Sequence, residues 1–134
     1  DRKKDLIKLD KGEFVSLGKV ENVLKQVKGI GACVVFVQSS KDHCAAIVSQ
    51  PERGWASVGG EPQEEELLKE MQTTGKKLGL ATFEIPTKLK IDQAIWTPEN
   101  GLCTPSMKVQ RQAIRVHYNT PGGLLDQMDY RFPE

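Results

Sequence analysis

Neither a strong charge of one sign nor a long apolar run is present in this sequence. The 19 lysines and arginines almost balance the 18 aspartates and glutamates, which leaves a formal net charge of +1. Proteins that bind nucleic acid through a charged surface are typically strongly basic, so we expect no nucleic-acid partner. The longest apolar run covers residues 32–37, whereas a membrane-spanning helix needs about 20 apolar residues. This run therefore predicts a buried strand.

Cysteine is scarce, and the sequence contains no Asn-x-Ser/Thr glycosylation acceptor. The 3 cysteines are Cys33, Cys44 and Cys103, an odd number without the regular spacing of a disulfide framework. Together these features favour a reducing compartment. We therefore expect the protein in the cytoplasm or on the cytosolic face of a membrane.

Length and composition indicate a single globular domain over residues 1–134. Of these residues, 38% are hydrophobic and 28% are charged. A chain of this length buries roughly 65–70% of the surface that its unfolded form exposes, which is enough for a real core. The charged residues 1–5 lead directly into an apolar segment, whereas natural termini are usually more loosely structured. We therefore expect the chain to be a fragment of a larger protein.

The first quarter of the chain predicts a hairpin followed by a helix. Residues 6–9 and 13–15 are largely apolar and flank Gly12, which can adopt the positive φ of a tight turn. Ser16 is a suitable N-cap for the helix that follows. Residues 20–27 carry the apolar face of that helix, with the spacing of one helical side.

The rest of the chain predicts a sheet with helices packed against it. Residues 32–37 are typical of a strand buried on both faces, and residues 43–49 would pair with it as a hairpin. Residues 61–78 predict a helix, and residues 107–118 predict a last short helix. Residues 83–91 predict an alternating strand with Glu84 on its solvent-exposed face, and Pro86 indicates that this strand is an edge or contains a bulge. The order ββαββαβα indicates an α+β fold, a small sheet with flanking helices plus an N-terminal β-hairpin.

Two glycine patterns resemble nucleotide-binding loops without fitting them. Gly29 and Gly31 follow a helix and precede a strand, the reverse of the order that a dinucleotide loop requires, so a helix stop at Gly29 and a turn are favoured. Gly12 and Gly18 have the wrong separation for a phosphate-binding loop. Val20 stands where such a loop has Ser or Thr.

Two lysine-bearing segments remain as candidates for a function. Residues 2–8 crowd cations around the predicted hairpin, and the alternative is a solvated edge strand that lysines protect. Lys108 precedes the last predicted helix, with Arg111 one turn further on, and the alternative is an exposed lysine at a helix start. Spacing alone does not decide between these interpretations.

In their order along the chain, these segments resemble the C-terminal part of the AMP-forming acyl-CoA synthetases. That family belongs to the adenylate-forming superfamily, together with firefly luciferase and peptide-synthetase adenylation domains. Residues 1–8 resemble the hinge motif of the family, and residues 104–111 stand where its catalytic-lysine motif belongs. Residues 11–21, 83–86 and 96–102 are similar to the eukaryotic long-chain branch. The resemblance implies the mobile C-terminal domain of a long-chain fatty acid–CoA ligase.

The resemblance also implies roles for individual residues. Arg2 would contact the ribose of the adenylate, Lys4 would be the hinge, and Lys8 would approach the nucleotide phosphate. Lys108 would be the catalytic lysine of the adenylation step. The residues expected along the path of the pantetheine arm of CoA are Gly12, Glu13, Phe14 and Ser16. No metal ligand is implied within this chain.

The chemistry of the family explains the use of lysine. A fatty-acid carboxylate attacking the α-phosphate of ATP brings two anions together, and an ammonium that touches both offsets their repulsion. After diphosphate leaves, rotation about Lys4 would present a second face of the domain for attack by the CoA thiol. ATP, Mg²⁺ and CoA would be cofactors of the full-length enzyme, since the phosphate-binding loop, the magnesium ligand and the acyl tunnel belong to the N-terminal domain. This fragment alone would hold none of them.

Two other hypotheses stay open at this point. One is a free-standing nucleotide- or protein-binding module with the same fold. The other is a ligase for another carboxylic acid, which would differ only in the absent N-terminal domain. The expected partners are that N-terminal domain, a fatty acid and CoA, and any membrane association would use regions outside this chain.

Overall fold

The computed structural model of the chain describes residues 6–27, 29–41, 43–51, 53–106 and 108–132. Its strands are β1 (Leu6–Lys8), β2 (Phe14–Ser16), β3 (Cys33–Val37), β4 (Cys44–Ser49) and β5 (Pro86–Asp92). Its helices are α1 (Leu17–Leu24), α2 (Glu64–Lys77), α3 (Arg111–Tyr118) and α4 (Leu124–Gln127), with 3-10 turns at Trp55–Val58 and Thr82–Glu84. Within the described ranges, no helix is both long enough and apolar enough to cross a membrane.

Two separate sheets form the strand framework of the described residues. β1 and β2 make a small antiparallel hairpin, and the larger sheet has the order β3-β4-β5. β3 and β4 pair antiparallel, with Val35 opposite Ala46, whereas β4 and β5 pair parallel, with Ala46 opposite Leu89. The predicted order ββαββαβα and the α+β class are confirmed, with α4 as an added element.

Helices cover both faces of the larger sheet. Every residue of β3 is buried, as the continuous apolar run predicts, and every residue of β4 is buried as well. On one face the sheet packs against α1 and α2, and the core includes Val35, Ala46, Val48, Val20, Leu24, Leu67 and Met71. On the other face the core includes Val34, Phe36, Ile47, Trp96, Ile114, Leu125 and Tyr130. Each Val, Leu, Ile, Phe or Met side chain among them stabilises the fold by roughly 1.5–3 kcal/mol.

The start of α1 agrees with the prediction, but its end differs. The Ser16 hydroxyl accepts a hydrogen bond from the backbone N–H of Lys19 at 3.4 Å, which confirms the N-cap. The helix ends at Leu24, so the predicted stop at Gly29 is wrong. The N–H of Val27 bonds to the carbonyl of Leu24 at 3.1 Å, and this tighter turn keeps Val27 buried after the α-helix has ended. Gly29 still has a positive φ of 88° within the following turn.

The strand predicted over residues 83–91 is shifted. β5 begins at Pro86, whose missing N–H suits the first residue of a strand. Phe83 and Glu84 lie in the preceding 3-10 turn, and Glu84 is buried instead of facing water. Its carboxylate accepts a hydrogen bond from the N–H of Ala81 at 2.9 Å, which explains how an acidic side chain is accommodated there. β5 is an edge strand, as the proline predicts.

Two predicted helices begin later than their sequence patterns indicate. α2 begins at Glu64 instead of residue 61 and ends at Lys77. α3 begins at Arg111 instead of residue 107, because Val109 is engaged in an isolated antiparallel bridge with Cys103. Residues used in such a bridge have extended backbone and cannot also start a helix.

The tail after residue 119 carries no clear sequence pattern, yet it completes the second face of the core. Tyr130 is fully buried. Its hydroxyl donates to the carbonyl of His43 at 2.7 Å and accepts from the N–H of Gln38 at 3.1 Å. The tail is therefore attached to the sheet through a buried phenol whose polar end is satisfied.

Candidate functional site

The hairpin presents Lys8 and Phe14 side by side on its outer face. The two residues are directly opposite in the register of β1 and β2, and the Lys8 Nζ lies 5.8 Å from the centre of the Phe14 ring. Both are exposed, and 54% of Phe14 is accessible to solvent. The alternating residues Ile7 and Val15 face inward and pack in the core. The strand period thus leaves a cation and an aromatic ring available to a ligand.

The turn of the hairpin is closed by backbone hydrogen bonds. The N–H of Leu9 bonds to the carbonyl of Glu13 at 2.7 Å, and the N–H of Gly12 bonds to the carbonyl of Leu9 at 2.8 Å. Gly12 has a φ of 98°, which confirms the turn conformation predicted for it. The N–H of Asp10 bonds to the carbonyl of Ser39 at 2.9 Å and attaches the hairpin turn to the turn between β3 and β4.

The residues expected to bind nucleotide and CoA divide between the described and undescribed parts of the chain. Lys8 and the four residues of the expected pantetheine path all belong to this one hairpin. Ser16 also caps α1, so its hydroxyl already accepts a hydrogen bond. Arg2 and Lys4 lie outside the described residues, and their roles stay predictions.

Lys108 stands at the base of a short loop with its backbone fixed. Its N–H bonds to the Thr104 Oγ1 at 3.0 Å, and its carbonyl accepts from the N–H of Thr104 at 2.8 Å. The Thr104 hydroxyl also lies 3.0 Å from that of Ser106. The Lys108 side chain is exposed. An anchored backbone and an exposed ammonium are what delivery of a cation to a ligand requires.

The motif over residues 96–102 supports this loop. The Asn100 Oδ1 accepts from the N–H groups of Thr97 and Leu102, each at 3.1 Å, and its Nδ2 donates to the carbonyl of Ile95 at 2.9 Å. Leu102 is buried, and its carbonyl accepts from the N–H of Gln110 at 2.9 Å. Asn100 thus folds the segment that leads into the Lys108 loop.

Asp92 is a buried acid at the end of β5 that sequence patterns did not single out. Its Oδ2 accepts from the Trp96 Nε1 at 2.7 Å and from the Tyr118 hydroxyl, and its Oδ1 accepts from the N–H of Ala94 at 2.9 Å. Burial and the bond to Asp92 raise the pKa of Tyr118 well above its usual value. One carboxylate therefore joins β5, the motif over residues 96–102 and the end of α3.

A second unpredicted contact joins α1 to the start of α3. The Arg111 guanidinium meets the Glu21 carboxylate through two contacts, Nη2 to Oε1 at 2.5 Å and Nε to Oε2 at 3.1 Å. The Glu21 Oε2 also accepts from the N–H of Val35 at 2.8 Å. Sequence identifies Arg111 as a neighbour of Lys108, but a partner 90 residues away leaves no local signal.

A cleft of about 240 Å³ separates the hairpin from α3. Ile7 and Leu17 line one side, Arg111 and Arg115 line the other, and Phe132 contributes to it from the tail. Ile7 precedes Lys8 in the chain, and Arg111 follows Lys108 by three residues. The two lysine-bearing segments, distant in sequence, therefore border a common cleft.

The thiols and acids offer no other reactive centre in the described ranges. All three cysteines are buried thiols, and burial raises the pKa of Cys44 to about 12. Burial also raises the pKa values of Cys33 and Cys103, so these thiols stay protonated and poorly nucleophilic near neutral pH. No group of three or more His, Cys, Asp or Glu residues among those described is arranged to hold a metal ion.

Sequence and structure comparisons identify known proteins that this chain resembles. No family model matches the chain. Long chain acyl-CoA synthetase 8 of Arabidopsis thaliana is 38% identical over 134 residues, covering 88% of this chain and 18% of that protein. The A-PCP didomain of carboxylic acid reductase from Segniliparus rugosus, solved in complex with AMP, superposes with a TM-score of 0.79 at 28% identity, covering 96% of this chain and 18% of that one. The chain belongs to the adenylate-forming superfamily.

Within the adenylate-forming superfamily, the chain has the fold of the C-terminal domain. A carboxylic acid reductase of Mycobacterium marinum is 30% identical, and the match covers 96% of this chain but 11% of that protein. The fatty acyl CoA synthetase of Mycobacterium tuberculosis shares the fold, with a TM-score of 0.58 and 24% identity. The chain thus spans 18% and 11% of the lengths of these two curated relatives.

Proposed function

We propose that residues 1–134 form the C-terminal domain of a larger long-chain fatty acid–CoA ligase. The whole enzyme converts ATP, fatty acid and CoA into acyl-CoA, AMP and diphosphate through an acyl-adenylate. The observation that carries this proposal is the exposed Lys108 on a loop anchored through both its N–H and its carbonyl. The 38% identity to a long chain acyl-CoA synthetase supports the choice of substrate.

Lys108 acts in the first half-reaction. A fatty-acid carboxylate oxygen attacks the α-phosphorus of ATP, the bond to the bridging oxygen breaks, and diphosphate leaves with the electron pair. The Lys108 ammonium contacts the carboxylate and the α-phosphate, and it stabilises the charge that spreads over the phosphoryl oxygens. Its long side chain allows the domain to deliver and withdraw this charge as it moves.

The hairpin acts in the second half-reaction. The CoA sulfur bonds to the acyl carbonyl carbon, the bond to the phosphate oxygen breaks, and AMP leaves while the thiol proton passes to solvent. Lys8 approaches the phosphate of AMP, and the pantetheine arm runs along Gly12, Glu13, Phe14 and Ser16. A Cβ added at Gly12 would meet no atom within 4 Å, so this side of the turn is open to a thin ligand. Lys4 is the hinge of the rotation, and Arg2 contacts the ribose.

The remaining components belong to the rest of the enzyme. Mg²⁺ bound with ATP neutralises phosphate charge during adenylation. The resemblance to acyl-CoA synthetases implies no metal ligand within this chain, so we assign the magnesium site to the N-terminal domain. That domain is also the partner against which this one rotates. We place the enzyme in the cytoplasm, and assign any membrane attachment to regions outside this chain.

A Lys108→Ala variant of the full-length enzyme tests the proposal. We expect diphosphate exchange into ATP, driven by a long-chain fatty acid, to fall by about 100-fold or more. Acyl-CoA formation from supplied acyl-adenylate should persist, because Lys108 acts before the adenylate exists. Lys69→Ala, at an exposed lysine of α2, is the control and should change neither half-reaction. Equal losses in both half-reactions would contradict the assignment.

A carboxylic acid reductase is the second candidate for the parent enzyme. The specific observation in its favour is the TM-score of 0.79 to a reductase domain, against 0.58 to a fatty acyl CoA synthetase. The two candidates differ in the fate of the acyl-adenylate. Release of acyl-CoA, measured by mass spectrometry after addition of CoA, supports the ligase, whereas recovery of an aldehyde after addition of a reduced nicotinamide cofactor as hydride donor supports the reductase.

A further inference from the structure

A half-buried ion pair holds the chain just after Lys108. Arg111 follows Lys108 by three residues, and its guanidinium binds Glu21 through two contacts at 2.5 and 3.1 Å. The side chains of Arg111 and Glu21 are 21% and 17% exposed. Two parallel contacts between planar groups fix orientation as well as distance, and partial burial limits screening by solvent.

The carboxylate of Glu21 is itself fixed by the sheet. Its Oε2 accepts from the N–H of Val35 at 2.8 Å, and β3 is an edge strand of the larger sheet. Val20 and Leu24 lie close to Glu21 on α1, and both are fully buried. Glu21 is thus a rigid attachment point, and Arg111 links the Lys108 segment to it.

Upstream of Lys108, the chain is held by different contacts. The Thr104 side chain and backbone bond to Lys108, and Asn100 folds the segment that precedes them. Downstream, the N–H of Gln110 bonds to the carbonyl of Leu102 beside the bridge between Cys103 and Val109. The side chain of the next residue, Arg111, then binds Glu21 of α1. The ion pair therefore completes the attachment of the loop on its C-terminal side.

We propose that Glu21 and Arg111 are positioning residues that hold Lys108 in place for acyl-adenylate formation. This inference rests on the proposed function, because it requires Lys108 to act in the first half-reaction. Neither residue needs to touch the substrate. Loss of the pair frees the start of α3, and a displacement of about 1 Å at a catalytic group is enough to slow a reaction strongly.

The opposite edge of the same sheet supplies a matched control. Glu64 of α2 accepts from the N–H of Ile91 at 2.8 Å through Oε2, and its Oε1 lies 3.5 Å from the Lys90 Nζ. The arrangement is the same, a helix glutamate bound to an edge N–H and to a cation. Its cation, however, belongs to β5 and not to the Lys108 segment.

The test compares Glu21→Gln with Glu64→Gln in the full-length enzyme. Glutamine keeps an oxygen that can accept the edge N–H, so each variant removes mainly the negative charge. We expect Glu21→Gln to lower the kcat of adenylation about 10-fold, with KM values for ATP and fatty acid within about twofold. Thioester formation from supplied acyl-adenylate should stay within about twofold of wild type. Glu64→Gln should change neither half-reaction.

Arg111→Lys is the conservative variant that separates positioning from folding. Lysine keeps the charge but loses the bidentate geometry, so we expect its adenylation rate between those of wild type and Glu21→Gln. Thermal denaturation of each variant verifies that the enzyme remains folded at the assay temperature. Equal loss in both half-reactions, or an equal effect of Glu21→Gln and Glu64→Gln, would overturn the inference.

The result for Lys108→Ala separates this inference from the proposed function. If Lys108→Ala leaves adenylation unchanged, the proposed function fails and the inference fails with it. If Lys108→Ala abolishes adenylation while Glu21→Gln and Arg111→Lys match wild type, only the positioning role is wrong.

Discussion

At each edge of the larger sheet, a helix glutamate accepts a hydrogen bond from a strand N–H, but the surroundings of the two glutamates differ. At the β3 edge, Glu21 accepts from a strand N–H at 2.8 Å, and at the β5 edge Glu64 does so at the same distance. The Glu21 side chain is 17% exposed and meets Arg111 through two contacts. The Glu64 side chain is 38% exposed and has one contact with Lys90, at 3.5 Å.

The difference shows that the cation bound by an edge glutamate determines which parts of the chain that glutamate connects. An edge N–H needs an acceptor, and a helix glutamate provides one at either edge. Lys90 belongs to the strand that Glu64 already binds, so that pair adds no new connection. Arg111 comes from a segment 90 residues away, so the same contact there ties a candidate catalytic loop to the core.

The largest expected effect on stability concerns Asp92, the last residue of β5. Asp92→Ala should lower the free energy of unfolding by about 3 kcal/mol, because the Trp96 indole and the Tyr118 hydroxyl lose a buried acceptor. Urea denaturation of the 134-residue chain measures it. Asp126→Ala is the control, since exposed Asp126 also accepts a backbone N–H, from Gly122 at 2.8 Å, and should cost less than about 1 kcal/mol. Equal costs would show that burial of Asp92 is unimportant.

The cations of the two edges test the comparison directly. Arg111→Ala should lower the free energy of unfolding by about 2 kcal/mol, because a half-buried carboxylate loses its bidentate partner. Lys90→Ala should cost about 0.5 kcal/mol or less, as single contacts of partly exposed lysines do. Urea denaturation of both variants in the same buffer provides the measurement. A larger loss for Lys90→Ala would reverse the ranking of the two edges.

The central strand between the edges predicts a pH effect. Burial raises the pKa of Cys44 from 9.0 to about 12, so the folded state keeps a proton that the unfolded state loses. Stability from this thiol is complete below pH 9.0 and is lost between there and about pH 12. The free energy of unfolding should therefore fall as the pH rises through this range. The Cys44→Ser variant lacks the titrating thiol, so its free energy of unfolding should fall less steeply with pH over this range. If the variant and the wild type show the same pH dependence, the effect does not come from Cys44.

Local sequence patterns predicted the elements whose formation depends on a few neighbouring residues. The turn at Gly12, the cap at Ser16 and the buried strand β3 each follow from one residue type or one periodicity, and the structure contains all three. Boundaries were less predictable. Helix α1 ends early and α3 begins late, because a tightened turn and an isolated bridge compete with the helical pattern.

The candidate site likewise has one part that the sequence predicts and one part that it does not. The motif around Lys108 is readable in the sequence because its residues are consecutive, and the resemblance to acyl-CoA synthetases depends on it. The contacts that hold the motif are not consecutive. Asp92 reaches Tyr118 across 26 positions and Glu21 reaches Arg111 across 90, so neither pairing has a spacing that could reveal it.

The sequence by itself determined the α+β class, the hairpin and the position of the lysine motif, because hydrophobic period, turn residues and caps act over a few neighbouring residues. Only the tertiary structure decided which acids are buried, which edge glutamate meets which cation, and that Tyr130 completes the core. These outcomes depend on packing three layers together, since a charge or a phenol is stabilised only by the partners that the fold brings to it.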